Sequence, residues 1–105
     1  MFQLFEHIRF GILQELYANE VENVLADYPD NMDYQFIEGC NWILTSHGKA
    51  DYQREGDCAI IFFITDYIEV SGYVYYSDDT ALEWMKDCAR IEEIKDHWVM
   101  VQMYD

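Results

Sequence analysis

The 105-residue chain predicts an α+β fold: two helices packed on a four- to five-stranded, mainly antiparallel sheet, in the order α-β-β-β-β-α-β. Three observations carry this. Seven apolar residues run together from Cys58 to Ile64, the pattern of a strand covered on both faces. Between Ile12 and Tyr28, apolar residues recur at three- and four-residue intervals, the period of an amphipathic helix. Thr80 and Glu83 match an S/T-x-x-E capping box at the head of a second helical pattern.

Taken in order, the first helix carries Ile12, Leu13, Leu16, Tyr17, Val21, Val24, Leu25 and Tyr28, and Phe5 and Ile8 extend the same stripe. Gly11 either divides it or weakens it, and Pro29 ends it because proline cannot continue the hydrogen-bond ladder. The opposite face carries Glu15, Asn19, Glu22 and Ala26, flanked by Glu20 and Asp27, with nothing basic to neutralise it. From Met32 to Ser46, the runs DYQFIE and NWILTS fit a hairpin joined at Gly39-Cys40. The segment His47 to Asp57 holds two glycines and two basic residues and fits an exposed loop or the tip of a longer two-stranded arm.

The run Cys58 to Ile64 opens a central hairpin, with a turn near Thr65-Asp66 and a bend or bulge at Ser71-Gly72. In its second arm Ile68, Val70, Val74 and Tyr76 are expected to face the core. Tyr67, Glu69, Tyr73 and Tyr75 then line the other, partly exposed face, unless a helix covers them. The second helix starts near Thr80, with Asp78 and Asp79 at the positive end of its dipole. Ala81, Leu82, Trp84, Met85, Cys88, Ala89 and Ile91 form its apolar side, and Lys86, Arg90 and Lys95 its C-terminal half. HWVMVQMY alternates and predicts a last strand. Both helices are expected on one face of the sheet, over a core that includes Leu16, Val24, Ile61, Phe63, Val74 and Trp84.

Composition bounds the function. With 51% hydrophobic and 17% aromatic residues, the chain can bury a core as one domain, and the composition argues against disorder. Against 21 acidic residues stand 6 basic ones, a formal charge of −15, more than solubility requires. A halophilic surface would go with fewer large apolar residues, and a cation store would gather its carboxylates in one loop. Direct nucleic-acid binding is disfavoured because it needs lysine and arginine. Complementarity to a strongly basic partner, or imitation of a polyanion, remains. Cys40, Cys58 and Cys88 form no C-x-x-C pair and the first residues do not form a signal peptide, which points to the cytoplasm. No apolar run reaches membrane-spanning length.

Catalytic and metal patterns fail on spacing. Asp30, Asn31, Asp33 and Glu38 suggest a calcium loop, but the sixth position is Gln35 and the twelfth Asn41. His7, His47 and His97 have no cysteine at zinc-ligand spacing. Asp30 with Glu93 and Lys95 could suggest a magnesium nuclease, but the expected turn and helix tail do not bring them together. A small enzyme with a site around Cys40, His47 and Asp57 is the alternative. Neither metal nor cofactor is expected.

Two acidic blocks hold the charge. Seven carboxylates lie between Arg9 and Lys49 and seven between Arg54 and Lys86, including Glu15, Glu22, Asp27, Asp30 and Asp33 in the first and Glu69, Asp78 and Asp79 in the second. Alternate strand residues are ~6.6 Å apart and helix positions seven apart ~10.5 Å, both of the order of phosphate spacings. In size and charge the chain resembles the small acidic inhibitors of nucleic-acid enzymes: anti-CRISPR and antirestriction proteins, glycosylase inhibitors and immunity proteins of nuclease toxins. That resemblance implies a non-catalytic inhibitor lodged in the basic cleft of a nuclease or of a CRISPR or restriction complex. Tyr67, Tyr73 and Tyr75 are the first candidates for its specific contacts. A generic acidic interaction domain is the plainer version of the same surface.

Overall fold

The computed structural model describes residues 4–27, 31–37, 44, 45, 48, 50–66, 68, 70–87 and 89–104, with backbone alone for 4–7, 27 and 31–37. Helix α1 (Leu4–Asp27) is followed by strands β1 (Asn31–Ile37), β2 (Ala50–Glu55), β3 (Cys58–Asp66) and β4 (Ser71–Tyr76). Helix α2 (Asp79–Lys86) leads to β5 (Ala89–Lys95) and β6 (Trp98–Met103). The fold is α+β: two helices on one sheet of order β1-β2-β3-β4-β6-β5, with every neighbouring pair antiparallel.

The apolar run lies inside the sheet, between β2 and β4, and is covered on both faces, as its composition predicts. Ile61 and Phe63 belong to one core layer with Phe10, Tyr17, Val21 and Val24 of α1. Ile60, Phe62 and Ile64 belong to a second with Ala81 and Met85 of α2. The helices therefore lie on opposite faces, which corrects the expectation that they share one. The reason is in β3 itself: successive side chains of a strand point to opposite sides, so a strand apolar at every position needs a helix on each.

Helix α1 is a single element through Gly11, and it is rotated from the predicted stripe. Phe10, Tyr17, Val21 and Val24 are buried and Leu13 and Leu25 partly so, whereas Ile8, Ile12 and Leu16 are exposed. Leu16 is therefore not core. Aromatic packing sets the rotation. Phe10 lies 5.0 Å from Trp98 and 5.2 Å from Tyr73 between ring centroids, and Tyr17 lies 5.3 Å from Phe63. Large rings at positions seven apart outweigh a row of smaller aliphatics.

One strand forms where the sequence leaves two readings open, and another where it predicts helix. Residues of the expected 47–57 loop make β2, the second of the two readings offered for that segment. Ala50 and Tyr52 are buried under α1, and Gly56 at φ 60 turns the chain back into β3. Strand β1 pairs with β2, where the sequence predicts the NWILTS run as its partner. Of that run, residues 41–43 and 46 lie outside the described residues. Helix α2 ends at Lys86, capped by Asp78 in place of Thr80, since the Asp78 carboxylate accepts from the Ala81 N–H at 3.0 Å. Ala89 to Lys95, assigned to this helix from sequence, forms edge strand β5 and turns Ala89 and Ile91 toward α2. Val24, Ile61, Phe63 and Val74 are buried as expected, and Trp84 packs partly buried beside α2's core layer.

The β3–β4 connection is wider than a turn at Thr65-Asp66, since β3 extends to Asp66. Ile68 and Val70, expected in the core, are exposed in that connection, Ile68 at 95%. Val70 takes φ 48, a left-handed conformation that is costly for a β-branched residue. Gly72 lies so close to β3 that a Cβ there would overlap the Phe63 carbonyl. No described helix is long and apolar enough to cross a membrane.

Candidate acidic interface

Four cations among the described residues are engaged by the fold. Arg9 turns in from α1, with its guanidinium donating to the Tyr73 hydroxyl at 3.5 Å and lying 5.8 Å from that ring's centre. Arg54 on β2 reaches α1, donating to the Leu25 carbonyl at 3.0 Å. Lys95 Nζ donates to Gln14 Oε1 at 3.1 Å, and Lys86 pairs with Glu83 at 2.6 Å. Arg54 thus meets the carbonyl end of the first helix from the sheet side, while the outward face of that helix carries Glu15 and Glu22, both exposed.

The tyrosine stripe divides. Tyr73 is fully buried beneath α1, against Phe10 and Tyr17, so it is core and cannot touch a partner. A helix covers that strand face because β4 is apolar on both sides, Val74 facing the other layer. Tyr75 is half-buried beside Trp98, with ring centroids 5.6 Å apart, and burial pushes its hydroxyl up. Tyr67, Glu69 and Asp30 lie outside the described residues, and Asp27 and Asp33 are placed by backbone only, at the end of α1 and in edge strand β1.

Glu15 and Glu22 are not brought together with Asp78 and Asp79. The first pair lies on α1 and the second at the start of α2, with the sheet between the two helices. On the α2 side, a groove of about 580 Å³ is lined by Leu82, Ala89 and Ile91 and by the carboxylates Asp79, Glu83 and Glu93, with the cation Lys86 among them. Burial, then Glu93, push the hydroxyl of Tyr76 in this groove upward. Asp78 is itself engaged. The Ala81 N–H and then the Cys58 thiol, whose Sγ donates to Asp78 Oδ1 at 3.3 Å, hold its carboxyl below the usual range.

Cys58 is half-buried, and burial followed by Asp78 pushes its thiol up to about 11, so little of it is the nucleophilic thiolate. Of the alternative enzyme site, Cys40 and His47 lie outside the described residues, and Asp57 is exposed in the turn from β2 to β3. Sequence reasoning missed two features. One is the exposed row Ile8, Ile12 and Leu16, legible as a four-residue spacing once Arg9 and Phe10 are placed inward. The other is Asp51 on β2, which is partly buried and whose carboxyl burial holds above its usual range. The chain matches no family model, no curated protein sequence and no solved structure.

Proposed function

We propose that this is a non-catalytic acidic inhibitor of the cytoplasm that occupies the basic nucleic-acid-binding cleft of an enzyme or effector complex, as a nucleic-acid mimic. An anti-CRISPR, antirestriction or toxin-immunity role fits this chemistry equally. The observation that supports it is the division of charge. Arg9, Arg54 and Lys95 hold α1 to the sheet, so outward-facing Glu15 and Glu22 present charge with little internal compensation. Such a surface steers a basic partner toward it and raises its association rate. With the sheet between the helices, a cleft meets the α1 face or the α2 groove, and α1 offers the longer array: 24 residues against 8.

The test is competition. CRISPR effector complexes, restriction enzymes and nuclease toxins are titrated with the protein in the presence of labelled DNA or RNA. Displacement of the nucleic acid is expected, weakening as salt rises toward ~1 M, where the Debye length is ~3 Å. Reversing Glu15 and Glu22 to lysine should slow association by roughly tenfold or more. A target bound with its nucleic-acid site still open would leave an acidic interaction domain and no mimic.

A further inference from the structure

We propose that the outward face of α1 around Ile8, Ile12 and Leu16, bordered by Glu15 and Glu22, docks a basic protein partner through an aliphatic ridge flanked by lysines or arginines. This rests on the acidic-inhibitor reading and names the surface it uses. The three aliphatic residues are 55%, 77% and 41% exposed, although they occupy a helix whose other side is fully packed. At four-residue steps they make a row ~12 Å long. Gly11 is exposed beside Ile12, with open space where a Cβ would stand, which leaves room for a side chain from outside. Glu15 follows Ile8 by seven residues and Glu22 follows Glu15 by seven, so carboxylates continue the face that the aliphatics begin.

Charge selects the occupant. Arg9, the helix's own cation, is turned under toward Tyr73. Two copies packed through this face would bring the exposed Glu15 and Glu22 of each into one interface, between chains of formal charge −15, and like charges so placed repel. Nucleic acids and anionic membrane surfaces are repelled for the same reason. A lysine or arginine beside a leucine or valine satisfies both halves: the aliphatic side chain covers Ile8, Ile12 and Leu16 while the cation reaches Glu15 or Glu22. Charge alone selects no particular basic protein, and the row adds an apolar requirement.

Two synthetic helical peptides of equal charge test this by fluorescence anisotropy, one patterned Leu/Lys and the other with glutamine in place of leucine. The protein is expected to bind the Leu/Lys peptide at least about tenfold more tightly. The double variant Ile8→Ser/Ile12→Ser should lose that preference while binding the Gln/Lys peptide as before. Because both positions are exposed, its melting temperature should be unchanged. Ile68→Ser, an exposed isoleucine away from α1, should keep the preference. Equal binding of the two peptides, or a preference that survives Ile8→Ser/Ile12→Ser, overturns the proposal. So does sedimentation showing a low-salt dimer that the double variant dissolves, which would make the face a contact between copies. A preserved peptide preference together with failure to displace nucleic acid from any target would remove the mimic and keep the docking face.

Discussion

The guanidinium of Arg54 joins the sheet to the carbonyl end of α1, donating to Leu25 O at 3.0 Å and to Gly56 O at 2.8 Å. A cation there complements the negative end of the helix dipole and satisfies a carbonyl that the last turn leaves without a helical partner. Arg54→Ala should lower stability by roughly 1–2 kcal/mol in chemical denaturation. Lysine at this position should recover only part of the loss, since it cannot reproduce the fork that reaches two carbonyls. An unchanged denaturation midpoint in the alanine variant would show that the contact contributes nothing in solution.

Phe63 is fully buried between β2 and β4, stacks on Trp98 and meets Tyr17 edge to face. Phe63→Ala should cost ~3–5 kcal/mol. Tyr17→Phe should cost about 1–3 kcal/mol, because it strips a buried carbonyl, Leu44 O, of a hydroxyl donor at 2.7 Å. Urea denaturation of both variants tests the α1 layer, and a Phe63→Ala loss below ~1 kcal/mol would place Phe63 outside the core.

Gly72→Ala forces a Cβ against the Phe63 carbonyl and the Thr65 nitrogen. Both are backbone atoms of the neighbouring strand, so no rotamer change relieves the overlap. A loss of about 1–3 kcal/mol or more is expected, with faster hydrogen exchange in β3 and β4 as its local signature.

Asp51 should make the protein less stable as pH rises. Burial raises its carboxyl above the ordinary 3.8, so the folded chain binds this proton more tightly than the unfolded one. Its contribution falls as pH climbs from 3.8 through the raised value. Asp51→Asn should therefore raise the melting temperature at neutral pH, and the gain should vanish below pH 3.8. Asp78 has the opposite sign: its carboxyl is held low, so its contribution is present at neutral pH and is lost as pH falls through the lowered value.

With its thiol near 11, Cys58 is about one part in a thousand thiolate at pH 8. Asp78→Asn keeps a capping side chain and removes the charge beside the sulfur. Alkylation by iodoacetamide, followed by mass spectrometry on the peptide containing Cys58, should then be faster than in the parent protein. The thiol should still lie above its ordinary 9.0, because burial is the larger cause of its shift. A rate unchanged by the substitution would break the thiol–carboxylate contact.

Local pattern by itself determined much of this protein. The apolar run Cys58 to Ile64 suited a strand buried on both faces, and Pro29 and the carboxylates before Ala81 marked the end of the first helix and the start of the second. The excess of acid and the lack of basic residues between Arg9 and Lys49 were equally plain in the composition. Tertiary structure decided the rest, because the deciding energies lie between elements distant in sequence. Ala89 to Lys95 fits helix or strand by its own pattern, and the open edge of β6 made it a strand. The rings of Phe10 and Tyr17, packed on Tyr73, Phe63 and Trp98, chose which side of α1 is core. That choice buried Tyr73 and turned Ile8, Ile12 and Leu16 outward. The two helices had to lie on opposite faces because β3 is apolar on both, and this separated the acidic blocks that lie together in the chain only by count.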